Sequence, residues 1–138
     1  ATIRAAIRGM SARDLDRRGG EFSPRETVHH LVEANLVAAN MIIAALATNG
    51  GNYDWTWVWP SREWMKRVGY DRVDAGAAIA ALRGVIGYVA ELVASQPDGL
   101  SRTVKLNDAP RAPRYSVTVE EILRREVDHV TEHLASIR

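Results

Sequence analysis

Phe22-Ser23-Pro24-Arg25-Glu26-Thr27-Val28-His29-His30-Leu31 opens the longest helix of the chain and places two imidazoles in its second turn. Serine as the cap, proline at the first helical position and glutamate closing the capping box form a helix start of high specificity. The helix is predicted to run from Pro24 to about Thr48, where Asn49-Gly50-Gly51 stops it. Beyond Leu31 its sides are almost all apolar or small, which fits a helix buried on more than one side or one that contributes to a homodimer interface.

Upstream, Ile3, Ala6, Ile7 and Met10 recur at helical spacing over residues 1 to about 9, with no cap before them. The chain is thus expected to begin inside or just before a first helix. Downstream, residues 52–70 hold all four tryptophans, Trp55, Trp57, Trp59 and Trp64, beside Tyr53 and Tyr70. The alternation of Trp55, Trp57 and Trp59 predicts three rings on one side of an extended strand, and residues 61–68 predict a short helix. A third helix is expected from about Asp71 to Ser95, with Leu82, Val85, Ile86, Val89, Leu92 and Val93 inward. Gly76, Gly84 and Gly87 inside it each cost about 1 kcal/mol against alanine, which predicts close backbone packing there. Residues 100–106 read as a short strand paired with residues 115–117. Thr118-Val119-Glu120-Glu121 is a second capping box, opening a last helix that runs nearly to the C-terminus. The expected fold is one all-α domain over residues 1–138: a four-helix bundle with a long aromatic-rich connection and a short β-hairpin-like insertion before the last helix.

Composition narrows the chemistry. The 138 residues contain no cysteine, so disulfides, cysteine-based zinc sites and a cysteine nucleophile are excluded. Eighteen basic against seventeen acidic residues give +1, with signs alternating along the chain except for a mild basic excess before Arg25. A nucleic-acid partner is not expected from such a balance. The longest nearly apolar run, residues 36–47, falls short of the roughly 20 residues of a bilayer span, and the first residues do not resemble a signal peptide. A soluble, cytoplasmic protein with no membrane partner is expected.

The four histidines fall in two clusters, His29 with His30 and His129 with His133. The i, i+4 spacing of His129 and His133 stacks both rings on one helix face, within reach of one ion. On the last helix they align with Ile122 at one margin of a stripe formed by Val119, Leu123, Val127, Val130, Leu134 and Ile137. On the long helix His30 shares a line with Ala34, Val37 and Met41, while His29 is turned about 100° away toward Glu33. A third imidazole from that helix would complete a facial set of three with open metal positions. The ordinary alternative is that these are hydrogen-bonded core or rim histidines. A di-iron reading starts from Glu126-Val127-Asp128-His129, but the long helix offers only His30-Leu31-Val32-Glu33 in reverse order, so that reading ranks last.

The chain resembles the DinB-like, or YfiT-like, superfamily of small four-helix-bundle metal proteins over nearly its whole length. The pieces occur in the family's order: Leu15-Asp16-Arg17, Phe22-Ser23-Pro24-Arg25-Glu26 followed by Val28-His29-His30-Leu31, the tryptophan-bearing connection, Leu100-Ser101-Arg102, and His129 with His133. The resemblance implies His30, His129 and His133 as ligands of a divalent transition metal, nickel or zinc first, with iron and manganese also suited to imidazole. It further implies transfer of a low-molecular-weight thiol to a small electrophile, as in bacillithiol, glutathione and mycothiol enzymes. The electrophile would enter under residues 53–64. The residues that touch the reacting atoms are not assigned. Phe22 stands where tryptophan is common, and Asn35 stands where the bacillithiol branch often has histidine. Glu33 and Glu126, each about one turn from a histidine, are candidates to orient an imidazole. Tyr53, Asp54 and Trp64 are candidate pocket residues, and Arg102 and Lys105 candidates to attract a substrate carboxylate. A non-catalytic metal-binding or dimerising bundle and a metal-dependent hydrolase use the same ligands.

Overall fold

A computed structural model describes residues 2–56, 58 and 61–137. The elements in chain order are α1 (Ile3–Ala6), α2 (Ala12–Asp16), α3 (Pro24–Thr48), β1 (Gly51–Asn52), α4 (Arg62–Val68), α5 (Ala75–Ala94), β2 (Thr103–Leu106), β3 (Tyr115–Thr118) and α6 (Val119–Ser136). Short 3-10 turns at Tyr70–Arg72 and Gly99–Ser101 flank α5.

The expected capping boxes are present. Ser23 Oγ accepts from the Glu26 amide at 3.2 Å, and Glu26 returns the bond from the Ser23 amide at 2.9 Å. Thr118 and Glu121 repeat the arrangement at the start of α6. A third box, Ser11 with Asp14, starts α2, an element the apolar pattern did not reveal. The first helix is a single turn capped by Thr2, whereas an uncapped helix to about residue 9 was expected.

α3 is the central element and packs against both α5 and α6. Val28, Leu31, Ile42 and Ala45 are at most 1 % exposed, so its apolar run is spent on a core that also takes in Val89, Val93, Val104, Val117 and Ile122. By window-averaged hydropathy both α3 and α5 are long and apolar enough to cross a membrane, which counting the longest unbroken run overlooks. α3 then ends on Asn49 in the left-handed region at φ 44°, and Gly50 at φ 112° turns the chain into β1.

The sheet has the order β1-β2-β3. β1 runs parallel to β2, and β2 pairs antiparallel with β3 through Val104 opposite Val117. The predicted hairpin is therefore joined by a strand whose two residues follow the α3 stop. Val104, Leu106 and Val117 face the core while Lys105 points outward. Arg102 is committed to the fold: it donates to the Leu46 carbonyl and pairs with Asp98 at 3.1 Å. Neither Arg102 nor Lys105 is thus free inside a pocket to hold a substrate carboxylate.

Three further expectations are corrected. α5 starts at Ala75, capped by Asp74, because residues 70–72 form the 3-10 turn. Ile86 is 48 % exposed, and a Cβ built at Gly84 or Gly87 meets nothing within 4 Å, so the close packing expected there is absent within the described residues. On α6, Val127 is 65 % exposed while Val119, Ile122 and Ile137 are buried, so the inward face is centred closer to the histidine line than the stripe suggested. The tryptophan alternation falls on Trp57 and Trp59, which lie outside the described residues; Trp55 itself belongs to no strand.

Candidate metal centre

The box that starts α3 fixes the phase of its second turn, and the β3–α6 junction fixes that of the last helix. His30 is thereby turned inward at 7 % exposure and meets His129 and His133, both half-buried, from across the bundle. His129 Nε2 lies 3.1 Å from His30 Nε2 and 3.0 Å from His133 Nε2. The three rings stand nearly perpendicular to one another, at 89°, 72° and 77°.

Burial pushes His30 down to about 4, helped by the charges that His133 and His129 would carry. His129 is lowered by burial and then by His133; His133 is lowered by burial, against the opposing pull of Glu132 and Glu21. All three rings are therefore neutral at pH 7, the form that ligates metal. A neutral nitrogen carries either one proton or one lone pair, yet His129 Nε2 faces two other ring nitrogens. One cation among the three resolves that conflict. The spacing is close to the roughly 3.3 Å edge of a tetrahedral site with metal–nitrogen bonds of about 2.0–2.1 Å. The residues present thus fit a divalent transition metal, and among the described residues no fourth histidine or carboxylate joins the group.

Beside this cluster is a cavity of about 310 Å³ whose wall includes His30 and His129. Val37, Met41, Val58, Leu106 and Ile122 make it largely apolar; Trp55, Tyr115, Arg125 and Glu126 supply polar groups. Trp55 Nε1, Glu126 Oε2 and His30 Nδ1 are buried with no hydrogen-bond partner among the described residues. Burial also raises the Glu126 carboxyl above the ordinary range. Phe22, which stands where the family commonly has tryptophan, closes the other side of the cluster, 5.4 Å from the His30 ring and stacked 6.1 Å from His133.

The remaining candidates divide. His29 does not join the cluster: its Nε2 lies 3.3 Å from the Val73 carbonyl and its ring stacks on Tyr70 at 4.9 Å. Glu33 lines the cavity but orients no imidazole; it accepts from Trp64 Nε1 at 2.6 Å. Burial and the neighbouring Glu33 charge push Tyr70 up to about 12. Glu126 also makes no hydrogen bond to a histidine. Tyr53 and Trp64 line a separate pocket of about 400 Å³ with His29 and Glu33, and burial raises the Tyr53 hydroxyl. Asp54 is exposed and closes a turn on the Thr56 amide and hydroxyl, whose hydrogen bonds lower its carboxyl. Sequence reasoning missed Trp55, Tyr115, Arg125 and Phe22 as neighbours of the site. Only Trp55, first of the alternating tryptophans, carried a signal.

Comparisons with known proteins bear on the fold and the family. No curated protein sequence matches the chain. Among solved structures, YfiT from Bacillus subtilis, described as a probable metal-dependent hydrolase with an unusual four-helix bundle topology, superposes with a TM-score of 0.81. It is 20 % identical, and the match covers 98 % of this chain and 75 % of that one. The expected four-helix-bundle fold is thereby matched. The model of the DinB superfamily matches residues 1–137. The chain belongs to the DinB superfamily.

Proposed function

We propose that this protein is a metal-dependent enzyme that transfers a low-molecular-weight thiol to a small, largely apolar electrophile. The observation that carries this reading is the cavity of about 310 Å³ walled by two of the three converging imidazoles. A structural zinc site is closed by four protein ligands, whereas three ligands beside a substrate-sized cavity describe a working site. When bound, a divalent ion (nickel or zinc first, then iron or manganese) supplies Lewis acidity that lowers the pKa of a thiol or water and favours it as nucleophile. His30, His129 and His133 hold that ion and stay neutral to do so.

The cavity's aliphatic wall excludes water and receives the apolar body of the electrophile. Trp55 Nε1 offers an unused donor to an acceptor atom on that molecule. The sulfur–carbon bond forms as the bond to the leaving group breaks, and the thiol proton passes to the buried Glu126 carboxylate or to solvent. Use of a low-molecular-weight thiol points to the cytoplasm. Hydrolysis is the second reading, favoured by the likeness to YfiT.

One panel separates the two. Protein loaded with nickel or zinc is assayed with 1-chloro-2,4-dinitrobenzene and several thiols, and with p-nitrophenyl acetate and no thiol. Transfer predicts conjugation that needs both thiol and metal and falls about a hundredfold or more in the His129→Ala His133→Ala double variant. Ester cleavage without thiol, lost in the same variant, selects the hydrolase. Activity unchanged in that variant sinks both, and bound metal with no turnover leaves a non-catalytic site.

A further inference from the structure

A second cavity, of about 590 Å³, lies where α3, α5 and α6 meet the Gly99–Ser101 turn. It shares Ala38 and Glu126 with the wall of the cavity beside the histidines, but none of the three histidines lines it. Its wall is chiefly aliphatic, with Ile42, Val85, Val89 and Leu123 facing in. Ile86 and Leu100, 48 % and 51 % exposed, form the open rim. A cavity of this size and lining, with a few converging polar groups, has the make-up of a small-molecule site.

The polar groups left unpaired there are acceptors. Asn35, 7 % exposed, donates Nδ2 to the Leu31 carbonyl at 2.9 Å. Only a donor can face a carbonyl, so Oδ1 is the end left over, and it accepts no hydrogen bond among the described residues. Glu126 Oε2 and Gln96 Oε1 are likewise buried without a partner among the described residues. Ser101 Oγ gives its proton to the Asp98 carbonyl at 2.9 Å. The two charged residues of the wall, Asp98 and Glu126, are both acidic, and among the described residues no lysine or arginine lines the cavity. Asp98 is paired with Arg102 at 3.1 Å, whereas Glu126 has no ion-pair partner among the described residues. Asn35 and Glu126 also stand at one level. The Val119 amide donates to the Arg102 carbonyl, and Arg102 to that of Leu46, which sets the start of α6 beside the end of α3. The His30–His129 contact sets its later turns beside the second turn of α3, so the two helices are antiparallel. Five residues beyond His30, Asn35 lies about 7 Å above that contact, and Glu126, three before His129, about 5 Å above it. From Asn35 to Ile42 the apolar wall runs about 10 Å along α3, the length of a chain of about six to eight carbons.

We propose that this cavity binds an apolar primary amine, with its ammonium group between Glu126 and Asn35 Oδ1 and its hydrocarbon chain along Ala39, Ile42 and Val89. A buried carboxylate oxygen with no partner is costly, and a donor that carries positive charge removes the cost most fully. An ammonium group has donors only, which matches a wall whose unpaired groups are acceptors. An alcohol of the same length donates once and leaves the charge of Glu126 unbalanced. A carboxylate of that length meets like charge and no donor to hold it. Water satisfies the oxygens but does not fill an aliphatic trough of this length.

The test is a titration of the full chain with hexylamine, 1-hexanol and hexanoate, followed by amide chemical shifts at pH 7, where an alkylamine is protonated. Zinc is added in excess so that the histidines are occupied. Saturable shifts are expected at residues 35–42 and 85–93, with hexylamine bound about tenfold or more tightly than 1-hexanol and hexanoate not at all. Glu126→Gln is expected to remove the preference for the amine while 1-hexanol still binds, which shows that the cavity is intact. Ala90→Trp, an exposed rim position on α5, is expected to weaken both ligands with the far-ultraviolet circular dichroism unchanged. No saturable binding of hexylamine overturns the proposal, as does an affinity no better than that of 1-hexanol. An amine preference that survives in Glu126→Gln overturns it too. Shifts confined to Trp55, Met41 and Ile122 assign the amine to the cavity beside the histidines and overturn it equally. The readout needs no turnover, so its failure leaves the proposed reaction untouched.

Discussion

His30 is the residue on which the site turns, and its burial has a measurable consequence even without metal. The unfolded imidazole takes up a proton near pH 6.5, whereas the folded one resists until about pH 4. The unfolded chain therefore binds more protons between these values, so stability rises with pH across that window and is lost as the pH falls through it. His129 and His133, also lowered, act in the same direction. Metal-free protein kept in chelator is expected to lose roughly 5 °C or more in Tm between pH 7 and 4.5. His30→Gln, which cannot titrate, is expected to show a visibly shallower slope; an identical slope would mean that His30 is not held neutral by the fold. Burial of Glu126 acts in the opposite direction, since a carboxyl raised by burial favours the folded state at low pH. The comparison of slopes at position 30 is therefore more telling than the absolute curve.

At the scale of elements, caps decide where helices start and what their faces present. Ser23 is 3 % exposed, so the bond its hydroxyl accepts from the Glu26 amide is shielded from water and the amide would be left unpaired in a buried place without it. Ser23→Ala is expected to cost about 1–2 kcal/mol, the upper part of the range for such substitutions. Thr118→Ala, on an exposed cap, is expected to cost less, about 0.5–1 kcal/mol; urea unfolding of both variants checks the order. Because a cap and its box are local in sequence, the starts of α3 and α6 were legible, and with them the inward choice of His30 over His29. What was not legible depends on distant partners. β1 exists because Gly51 and Asn52 find Val104 and Lys105, pairing that no local pattern encodes. Val127 was misplaced because periodicity gives the width of an apolar stripe, while the docking of the β3–α6 junction on α3 chooses its centre. Phe22 and Arg125 become neighbours of the histidines only once α3 and α6 are side by side. The start of α5 falls at Ala75 and not at about Asp71 because the Tyr70–Arg72 turn, with the Tyr70 ring packed on His29, comes between and Asp74 caps the helix.

For the whole molecule, the cluster joins parts of the chain that packing holds unevenly. α6 is anchored firmly at its first turn, where Val119 and Ile122 are 0 % and 5 % exposed and β3 continues into the helix. Along its second half no residue is fully buried until Ile137 just past its end, and His129 and His133 lie half-exposed between. His30 is 99 residues away in sequence and sits in the most deeply buried stretch of α3. A divalent ion shared by the three thus ties the loosely packed end of α6 to the best-packed element of the bundle. Any species that binds only the folded state adds RT ln(1 + [L]/Kd), about 4 kcal/mol at a thousandfold excess over Kd. Its local effect falls on the openings that separate the ligands. Amides of residues 126–136 are therefore expected to exchange about tenfold or more slowly with saturating nickel or zinc, and those near His30 more slowly as well. Amides of α5 that exchange by local opening should be unchanged, because α5 supplies none of the ligands. In His30→Ala the protection of α6 should vanish even if the i, i+4 pair still holds metal weakly, since an ion on one helix cannot clasp two. Slowing confined to α6 in both proteins would place the metal on His129 and His133 alone and remove α3 from the site.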